Sequence, residues 1–310
     1  MSQVQLAKAK KRKDLIKRLK RCWPFYLMLL PTLIYIIIFD YGPMYGLQIA
    51  FKQYRTTKGI WGSDWVGLKY FKQFIAFPNF WKYMWNTLRI NLISLATFPC
   101  SIIFALMLNE IKNAKMKKTI QMITYMPHFL TEVVVCALVI LFLDRSYGPI
   151  GVIFSAFGYN KSLMASDAAF PYIYVLSGLW QGLGWGSILY ISALAGISSE
   201  EVEAARIDGA SRLQVVRYVY IPGIMPTIII CFIMRLGSLL GVGYTKVLLL
   251  QNDMNLETST VIGTYTYEIG LLGGQFSYST AIGLFNNLVN IALLLITNWI
   301  CGRATETSLF

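Results

Sequence analysis

The stretch that decides the fold is EAARIDGASRLQVVRYVYIP, residues Glu203 to Pro222, a polar segment set between two long apolar runs. Gly209 follows an aspartate, and glycine takes the left-handed conformation that ends a helix at little steric cost. Ser211 and Gln214 have the spacing of a capping box, which predicts that a new helix starts almost at once. Pro222 predicts a bend eleven residues after Ser211. The stretch therefore predicts a tight glycine corner followed by a helix that enters the next apolar run.

The helix that precedes the corner has a start signal of its own. Ser198 and Glu201 also have capping-box spacing, so we expect each to bond to the other's backbone amide. Glu200, Glu201 and Glu203 crowd the first turns, where the positive end of a helix favours acidic side chains. A short helix is therefore predicted before Gly209.

Apolar runs dominate the rest of the chain. Its 310 residues are 56% hydrophobic and only 14% charged, which exceeds the hydrophobic share of ordinary soluble domains. Six runs reach the length of about 20 residues that a helix needs to cross a bilayer. The predicted spans are Trp23–Gly46, Asn86–Leu108, Ile120–Leu143, Phe170–Ile197, Tyr218–Leu240 and Thr280–Ile300. The fold class is therefore an all-α polytopic membrane protein with six transmembrane helices.

The stretch between the fourth and fifth predicted spans resembles the cytoplasmic coupling loop, or EAA motif, of ABC-importer permeases. The matching positions are Glu203, Ala204, Ala205, Asp208, Gly209, Ala210 and Pro222. Ile221 replaces the usual leucine before the proline and keeps its apolar character. The resemblance implies the type I ABC-importer permease fold, and it implies that these residues couple the chain to an ATPase.

The resemblance also implies a set of partners and the location of the cofactors. It predicts a second homologous permease, most simply a distinct one that forms a heterodimer, together with two ATPase subunits and an extracellular substrate-binding protein. ATP and Mg would be bound by the ATPase subunits, because this chain lacks the G-x-x-x-x-G-K-[ST] phosphate loop. We expect no cofactor, no metal site and no catalytic residue in the chain, which is then a transport subunit and not an enzyme. Its one histidine, His128, has no cysteine or histidine at metal-ligand spacing.

The basic residues predict an orientation. The first twenty-one residues contain nine Lys or Arg and one acidic residue. Such a tail could bind nucleic acid, but beside a membrane span it predicts a cytoplasmic amino terminus that contacts anionic lipid. Counted over the loops, the predicted cytoplasmic side has seventeen Lys or Arg and the opposite side has nine. We therefore predict a multi-pass protein of the bacterial cell membrane with both termini and the coupling loop inside, and we predict no nucleic-acid partner.

Four segments follow from these assignments. They are a cytoplasmic basic tail (1–22), a first transmembrane helix with an extracellular segment (23–85), the permease core (86–301, with the coupling loop at 198–222) and a cytoplasmic tail (302–310). The aromatic-rich sequence from Tyr41 to Phe74 resembles the subgroup of carbohydrate-uptake permeases that import oligosaccharides.

Polar residues within the predicted spans are candidates for the substrate path. An exposed arginine near the middle of a span costs about 2.5–3.5 kcal/mol on insertion scales, so such residues need a reason. Amides and aromatic rings together suit a sugar, which predicts the candidates Gln181, Trp185, Arg235, Asn286 and Asn290. Hydrogen bonding between helices is the alternative role for each polar residue. For Glu132 and Arg89, nearer the span ends, we predict structural ion pairing.

The sequence predicts an oligosaccharide permease of an ATP-driven importer, and other functions stay open. Amino acids or peptides are the alternative substrates, because the coupling motif is shared among those systems. A secondary transporter would need acidic ion sites near broken helices, for which only Glu132 is a candidate, and it would leave the coupling loop unexplained. A membrane enzyme would need paired carboxylates or a metal cluster, and the sequence offers neither.

Overall fold

The computed structural model describes residues 21–159, 161–305 and 308–309. Most of the predicted basic tail, 1–22, therefore lies outside the described residues. The chain divides into two units, Met1–Gly67 and Leu68–Phe310. The predicted boundary after residue 85 falls inside a helix, and the predicted start of the second tail, at residue 302, lies in the last helix.

The described residues of the first unit form one long helix and a small hairpin. Helix α1, Arg21–Phe51, is continuous over 31 residues, and none of the residues in its most apolar window is buried. Strands β1, Lys52–Gln53, and β2, Asp64–Trp65, pair antiparallel. The rings of Phe51 and Trp65 stack at 5.6 Å between centroids, which fixes the hairpin to the end of α1.

All of the regular secondary structure described in the second unit is helical. Its helices are α2 Lys69–Ile75, α3 Phe80–Ala96, α4 Phe98–Asn109, α5 Ala114–Tyr125, α6 Glu132–Leu143, α7 Pro149–Ala156, α8 Phe170–Ala195, α9 Ser199–Ile207, α10 Arg212–Val215, α11 Ile221–Leu236, α12 Tyr244–Leu250, α13 Leu256–Ser259, α14 Ile262–Tyr267 and α15 Phe276–Thr305. Short 3₁₀ or π segments occur at Met126–Phe129, Leu163–Ala165, Val216–Tyr220 and Glu268–Leu272.

Four of the six predicted spans form helices that are long and apolar enough to cross a membrane. Arg21–Phe51, Phe80–Asn109, Arg212–Leu236 and Phe276–Thr305 correspond to the first, second, fifth and sixth predicted spans. The helix of the fifth span begins earlier and ends earlier than predicted, because the capping box at Ser211 starts it and Gly237 ends it. Each of these four helices is therefore longer than its predicted span or shifted from it by a few residues.

The third predicted span, Ile120–Leu143, is not one kinked helix. The helical segment Ala114–Phe129 and helix α6 form a bent pair, with an angle of 103° between them. Pro127 lies in the 3₁₀ turn of the break, where its ring and missing N–H prevent the α-helix from continuing. Thr131 then caps α6, its hydroxyl accepting from the amide of Val134 at 3.4 Å. A proline within an apolar run predicts a kink, and here the interruption is a complete break of the span.

The fourth predicted span forms helix α8, which is the central helix of the second unit. It packs against α3, α4, α5 and α11. Its 26 residues are long enough to cross a membrane, but it is less apolar than the four candidates, as suits a helix that neighbouring helices surround. A Cβ at Gly184 would lie 2.4 Å from the carbonyl oxygen of Thr124, so this glycine allows α5 to approach closely. This glycine thus serves close helix packing.

Asn86 and Thr87 hold the segment that connects α12 to α14. The Asn86 amide donates to the carbonyl oxygens of Glu257 and Thr260, at 2.9 and 3.0 Å. The Thr87 hydroxyl accepts from the amide of Ile262 at 3.1 Å. Both side chains are buried, and these long-range bonds fix α12 beside the helical bundle.

The predicted orientation can be checked by cysteine labelling. In a chain without its native cysteines, Ser211→Cys should react in intact cells with a membrane-permeant maleimide but not with an impermeant one. Thr57→Cys should react with both reagents, because residue 57 is predicted to lie outside. Both positions are exposed, so access within the chain does not limit either reaction. Reaction of Ser211→Cys with the impermeant reagent would contradict the orientation.

Candidate functional site

The corner predicted from the sequence is present in the structure. Helix α9 ends at Ile207, and Gly209 has a φ of +81°, in the left-handed region that favours glycine. Ser211 and Gln214 form the predicted capping box. The backbone N–H of Gln214 donates to the Ser211 hydroxyl at 3.4 Å, and the backbone N–H of Ser211 donates to the side-chain oxygen of Gln214 at 2.7 Å. Two helices therefore meet at a fixed turn.

The start of α9 differs from the prediction. The Ser198 hydroxyl accepts from the amide of Glu200 at 3.2 Å, so Ser198 is the N-cap. In the described structure, Glu201 makes no return bond to the Ser198 amide, and the predicted capping box is wrong there. The remaining amides of the first turn lie at an exposed end of the helix, where water can satisfy them.

The motif residues of the corner divide between two faces. Ala205 and Ala210 are partly buried and pack against the apolar cluster that contains Val215 and Tyr220. The other five motif residues are exposed, namely Glu203, Ala204, Asp208, Gly209 and Pro222. A Cβ built at Gly209 would meet nothing within 4 Å. The inner face fixes the corner to its own bundle, and the outer face is open to a partner.

Two large apolar side chains flank the corner, and sequence reasoning missed them. Ile207 is 85% exposed and Leu213 is 78% exposed. Ile207 lies between Arg206 and Asp208, and Leu213 lies between an arginine and a glutamine; an apolar residue with polar neighbours was the signal that could have identified them. A cavity of about 320 Å³ lies beside them, lined by Glu110, Arg206 and Arg212 among others. Exposed apolar groups rimmed by charges are typical of a protein docking surface.

The helix that leaves the corner is continuous as far as Leu236. From Val216 to Tyr220 it widens into a π segment, with the Ile221 amide bonded to the Val216 carbonyl. Pro222 follows directly, and the wider turn accommodates a residue that cannot donate a hydrogen bond. The helix therefore runs through Pro222 without a break, and the irregularity near the predicted bend is the π segment.

A polar cavity of about 510 Å³ lies at the other end of this helix. Its polar lining includes Ser94, Glu132, Gln181, Arg235 and Lys246. Helices α3, α6, α8, α11 and α12 each supply one of these residues. The cavity therefore collects polar groups from five helices that are otherwise apolar.

Arg235 occupies a different place from the one predicted. It lies in the last turn of α11, near the end of the span and not near its middle. A cation is favourable there because the carbonyl end of a helix has negative potential. Its guanidinium donates to the hydroxyl of Ser94 on α3. Arg235 is exposed within the isolated chain and lines the cavity.

Lys246 is a second cation in the cavity, and sequence reasoning did not select it. It is only 6% exposed. Its Nζ donates to the carbonyl oxygen of Tyr174 at 3.0 Å and lies 4.8 Å from the centre of the Tyr174 ring. Burial lowers the pKa of Lys246, while the nearby Cys136 and Glu132 act to raise that pKa.

The predicted ion pairing of Glu132 and Arg89 is not found. Among the described residues, neither side chain has an oppositely charged group within 4.0 Å. Glu132 begins α6 at the break of the third span, where a carboxylate suits the positive helix end, and it lines the cavity.

Gln181 and Trp185 support the broken span. The Gln181 amide lines the cavity and donates to the carbonyl oxygen of Leu130 at 3.0 Å, within the break. The Trp185 ring stacks on the His128 ring at 4.4 Å with 8° between the planes. Trp185 is not part of the cavity lining but is 46% exposed, so one face of this aromatic pair remains open.

Asn286 and Asn290 lie outside this cavity. Asn290 accepts a hydrogen bond from the amide of Leu240 at 2.9 Å, just beyond the end of α11. The side-chain oxygen of Asn286 is buried and has no hydrogen-bond partner among the described residues. Within this chain, Asn290 thus connects α15 to the loop after α11, while Asn286 is left with an unsatisfied acceptor.

We expect Asn290→Ala to lower the abundance and thermal stability of the assembled complex. The substitution leaves the Leu240 amide unpaired, and an interhelical hydrogen bond in a membrane is worth roughly 0.6 kcal/mol and up to about 2. The exposed neighbour Asn287 provides the control, since Asn287→Ala should change neither. The measurements are the amount and the melting temperature of the assembled complex, together with sugar uptake normalised to that amount. A lower uptake per complex with unchanged stability would instead place Asn290 in the substrate path.

Comparison with known families assigns the fold. Residues 97–304 match the family described as the binding-protein-dependent transport system inner membrane component. The chain belongs to this family. It is therefore a multi-pass membrane transport subunit. The matched residues include the broken span, the corner and every lining residue of the cavity except Ser94.

Individual relatives of this permease match over nearly its whole length. It is 39% identical to protein LplB of Bacillus subtilis over 94% of this chain and 92% of the relative. It is 37% identical to the polygalacturonan/rhamnogalacturonan transport system permease protein YteP of the same organism, over 98% of this chain and 95% of the relative. A solved structure of a bacterial ABC transporter that imports the acidic polysaccharide alginate superposes with a TM-score of 0.85 and 37% identity, covering 94% of this chain and 99% of that one.

Proposed function

We propose that this permease forms half of the pathway by which an ATP-driven importer moves an oligosaccharide across the cell membrane. The observation that carries the proposal is the exposed corner at Gly209, which presents five of the seven EAA motif residues on its outer face. Relatives named as sugar permeases and the alginate importer support a sugar as substrate. They favour this substrate over amino acids or peptides.

The corner would couple the permease to ATPase subunits. Its outer face combines acidic residues with Ile207 and Leu213, which would be buried when a partner docks. ATP and Mg would be bound by those partners. When the ATPases close on ATP, the displaced corner would move the helix that starts at Ser211.

The remaining subunits follow from the same proposal. A second homologous permease, preferably a distinct one, would complete the pathway, and two ATPase subunits would occupy the cytoplasmic side. A substrate-binding protein would deliver the sugar from outside; the alginate importer was solved in complex with a pentasaccharide-bound periplasmic protein. Both termini would lie in the cytoplasm.

Purification from the membrane tests this proposal. The permease should copurify with a second permease and with an ATPase, and the complex should hydrolyse ATP faster when a sugar-loaded binding protein is added. Isolation of the chain as a transporter that works alone would contradict the proposal. Stimulation by a peptide-loaded but not a sugar-loaded binding protein would retain the importer and replace its substrate.

A further inference from the structure

Two cations in the polar cavity have no ion-pair partner among the described residues. Lys246 and Arg235 both line the cavity, and neither has a carboxylate oxygen within 4.0 Å among the described residues. Glu132 is the one carboxylate of the described lining. When all three groups are ionised, the cavity has an excess of positive charge.

The burial of Lys246 makes this excess positive charge energetically unfavourable. A buried charge destabilises a protein unless it is paired or well hydrogen-bonded, and Lys246 is 94% removed from solvent with one carbonyl oxygen as hydrogen-bond acceptor. An ammonium can donate three hydrogen bonds, so donors remain. Gly178 of α8 allows the Lys246 Nζ to lie close against that helix, because a Cβ at this glycine would be only 3.2 Å from the Nζ. An anion that entered the cavity would compensate this charge.

Arg235 adds a donor of a different shape. Its planar guanidinium has several N–H groups, of which the contact with Ser94 uses one. The fork of an arginine suits a carboxylate, with two parallel hydrogen bonds to the two oxygens. One point charge and one planar fork thus face the same space of about 510 Å³.

We propose that Lys246 and Arg235 bind the carboxylate groups of an acidic oligosaccharide as it passes through the cavity. This inference rests on the proposed function and narrows its substrate to sugars with negative charge. The Glu132 carboxylate would repel the carboxylates of an acidic sugar that lay close to α6. This repulsion would keep the carboxylates of the sugar on the side of α8, α11 and α12.

The test compares an acidic sugar with its neutral ester. The full complex, with its partner subunits and binding protein, is placed in lipid nanodiscs, and stimulated ATP hydrolysis is measured with trigalacturonate and with its methyl ester. Each sugar is used at a concentration that saturates the binding protein, determined by separate titration. The readout is the rate of ATP hydrolysis stimulated by the acidic sugar divided by the rate stimulated by the neutral ester. A change in the amount of complex does not alter this ratio.

We expect a ratio above one for the unmodified complex. Lys246→Met and Arg235→Gln should each lower this ratio roughly tenfold, the effect of losing one charge-assisted hydrogen bond. Lys246→Arg should restore part of it. Lys72→Gln is the matched control, because this exposed lysine lies outside the cavity and should leave the ratio and the basal rate unchanged.

An unchanged ratio in both variants would overturn the inference, as would a ratio of one or less in the unmodified complex while the ester stimulates. If Lys246→Met fails to assemble, Arg235→Gln and the unmodified complex still decide the question. Stimulation by neither sugar would contradict the proposed sugar transport itself, so the two failures are distinguishable.

Discussion

Gly209→Val is expected to abolish transport and the ATP hydrolysis that the loaded binding protein stimulates, while the chain still inserts into the membrane. Valine is strained at a φ of +81°, at a cost of roughly 1–2 kcal/mol. Its side chain also enters the space in which a partner would close over the corner, because nothing in the chain itself lies within 4 Å of that Cβ. Stimulated hydrolysis should fall roughly tenfold or more, as the loss of about 1.4 kcal/mol of docking energy requires.

Gly158 provides a control with the same backbone strain. It has a φ of +86°, and a Cβ there also meets nothing within 4 Å. Gly158→Val should therefore cost similar local stability but leave stimulated hydrolysis intact. Equal loss in both variants would mean that strain alone explains the effect, and normal hydrolysis in Gly209→Val would remove the corner from coupling.

The second large effect is expected at Ile207, where an aspartate should prevent the ATPase from copurifying with the permease. A side chain that is 85% exposed contributes little to the fold of its own chain. In a docked complex it would be buried, and a buried carboxylate without a partner is strongly unfavourable. We expect membrane levels of Ile207→Asp to equal those of the unmodified chain, with the loss confined to pull-down of the ATPase.

Met116→Asp is the matched control for this variant. Met116 is an exposed apolar residue in the first turn of α5. This turn is predicted to lie on the same side of the membrane as the corner. An acidic residue is favourable in a first helical turn. If Met116→Asp loses the ATPase equally, the effect comes from charge at the membrane surface and not from the corner.

The sequence predicted most of the fold because its strongest signals are local. Length and apolar composition identified four spans, and the Ser211 capping box and Gly209 identified the corner to the residue. The 103° break was underestimated, since proline signals an interruption but not its angle. That angle depends on contacts made far away in the chain, such as the bond from Gln181 to Leu130.

The cavity could be predicted only in part. Gln181 and Arg235 stood out because they interrupt apolar runs, and the structure places both in its lining. Lys246 did not, because its sequence neighbourhood is that of a loop; its burial results from contacts with α8 that sequence periodicity does not show. Asn286 and Asn290 satisfied the same criterion as Gln181 but lie on another face of the bundle.

The corner and the cavity share one helix. Arg212–Leu236 starts at the capping box and ends one residue after Arg235, so its 25 residues join the two sites over about 37 Å. If a ligand at one end shifts the position of this rod, binding free energies at the two ends are linked and the linkage is reciprocal. If one state of the ATPase raises the affinity of the cavity for sugar by some factor, bound sugar must then raise the population of that ATPase state, relative to the other, by the same factor.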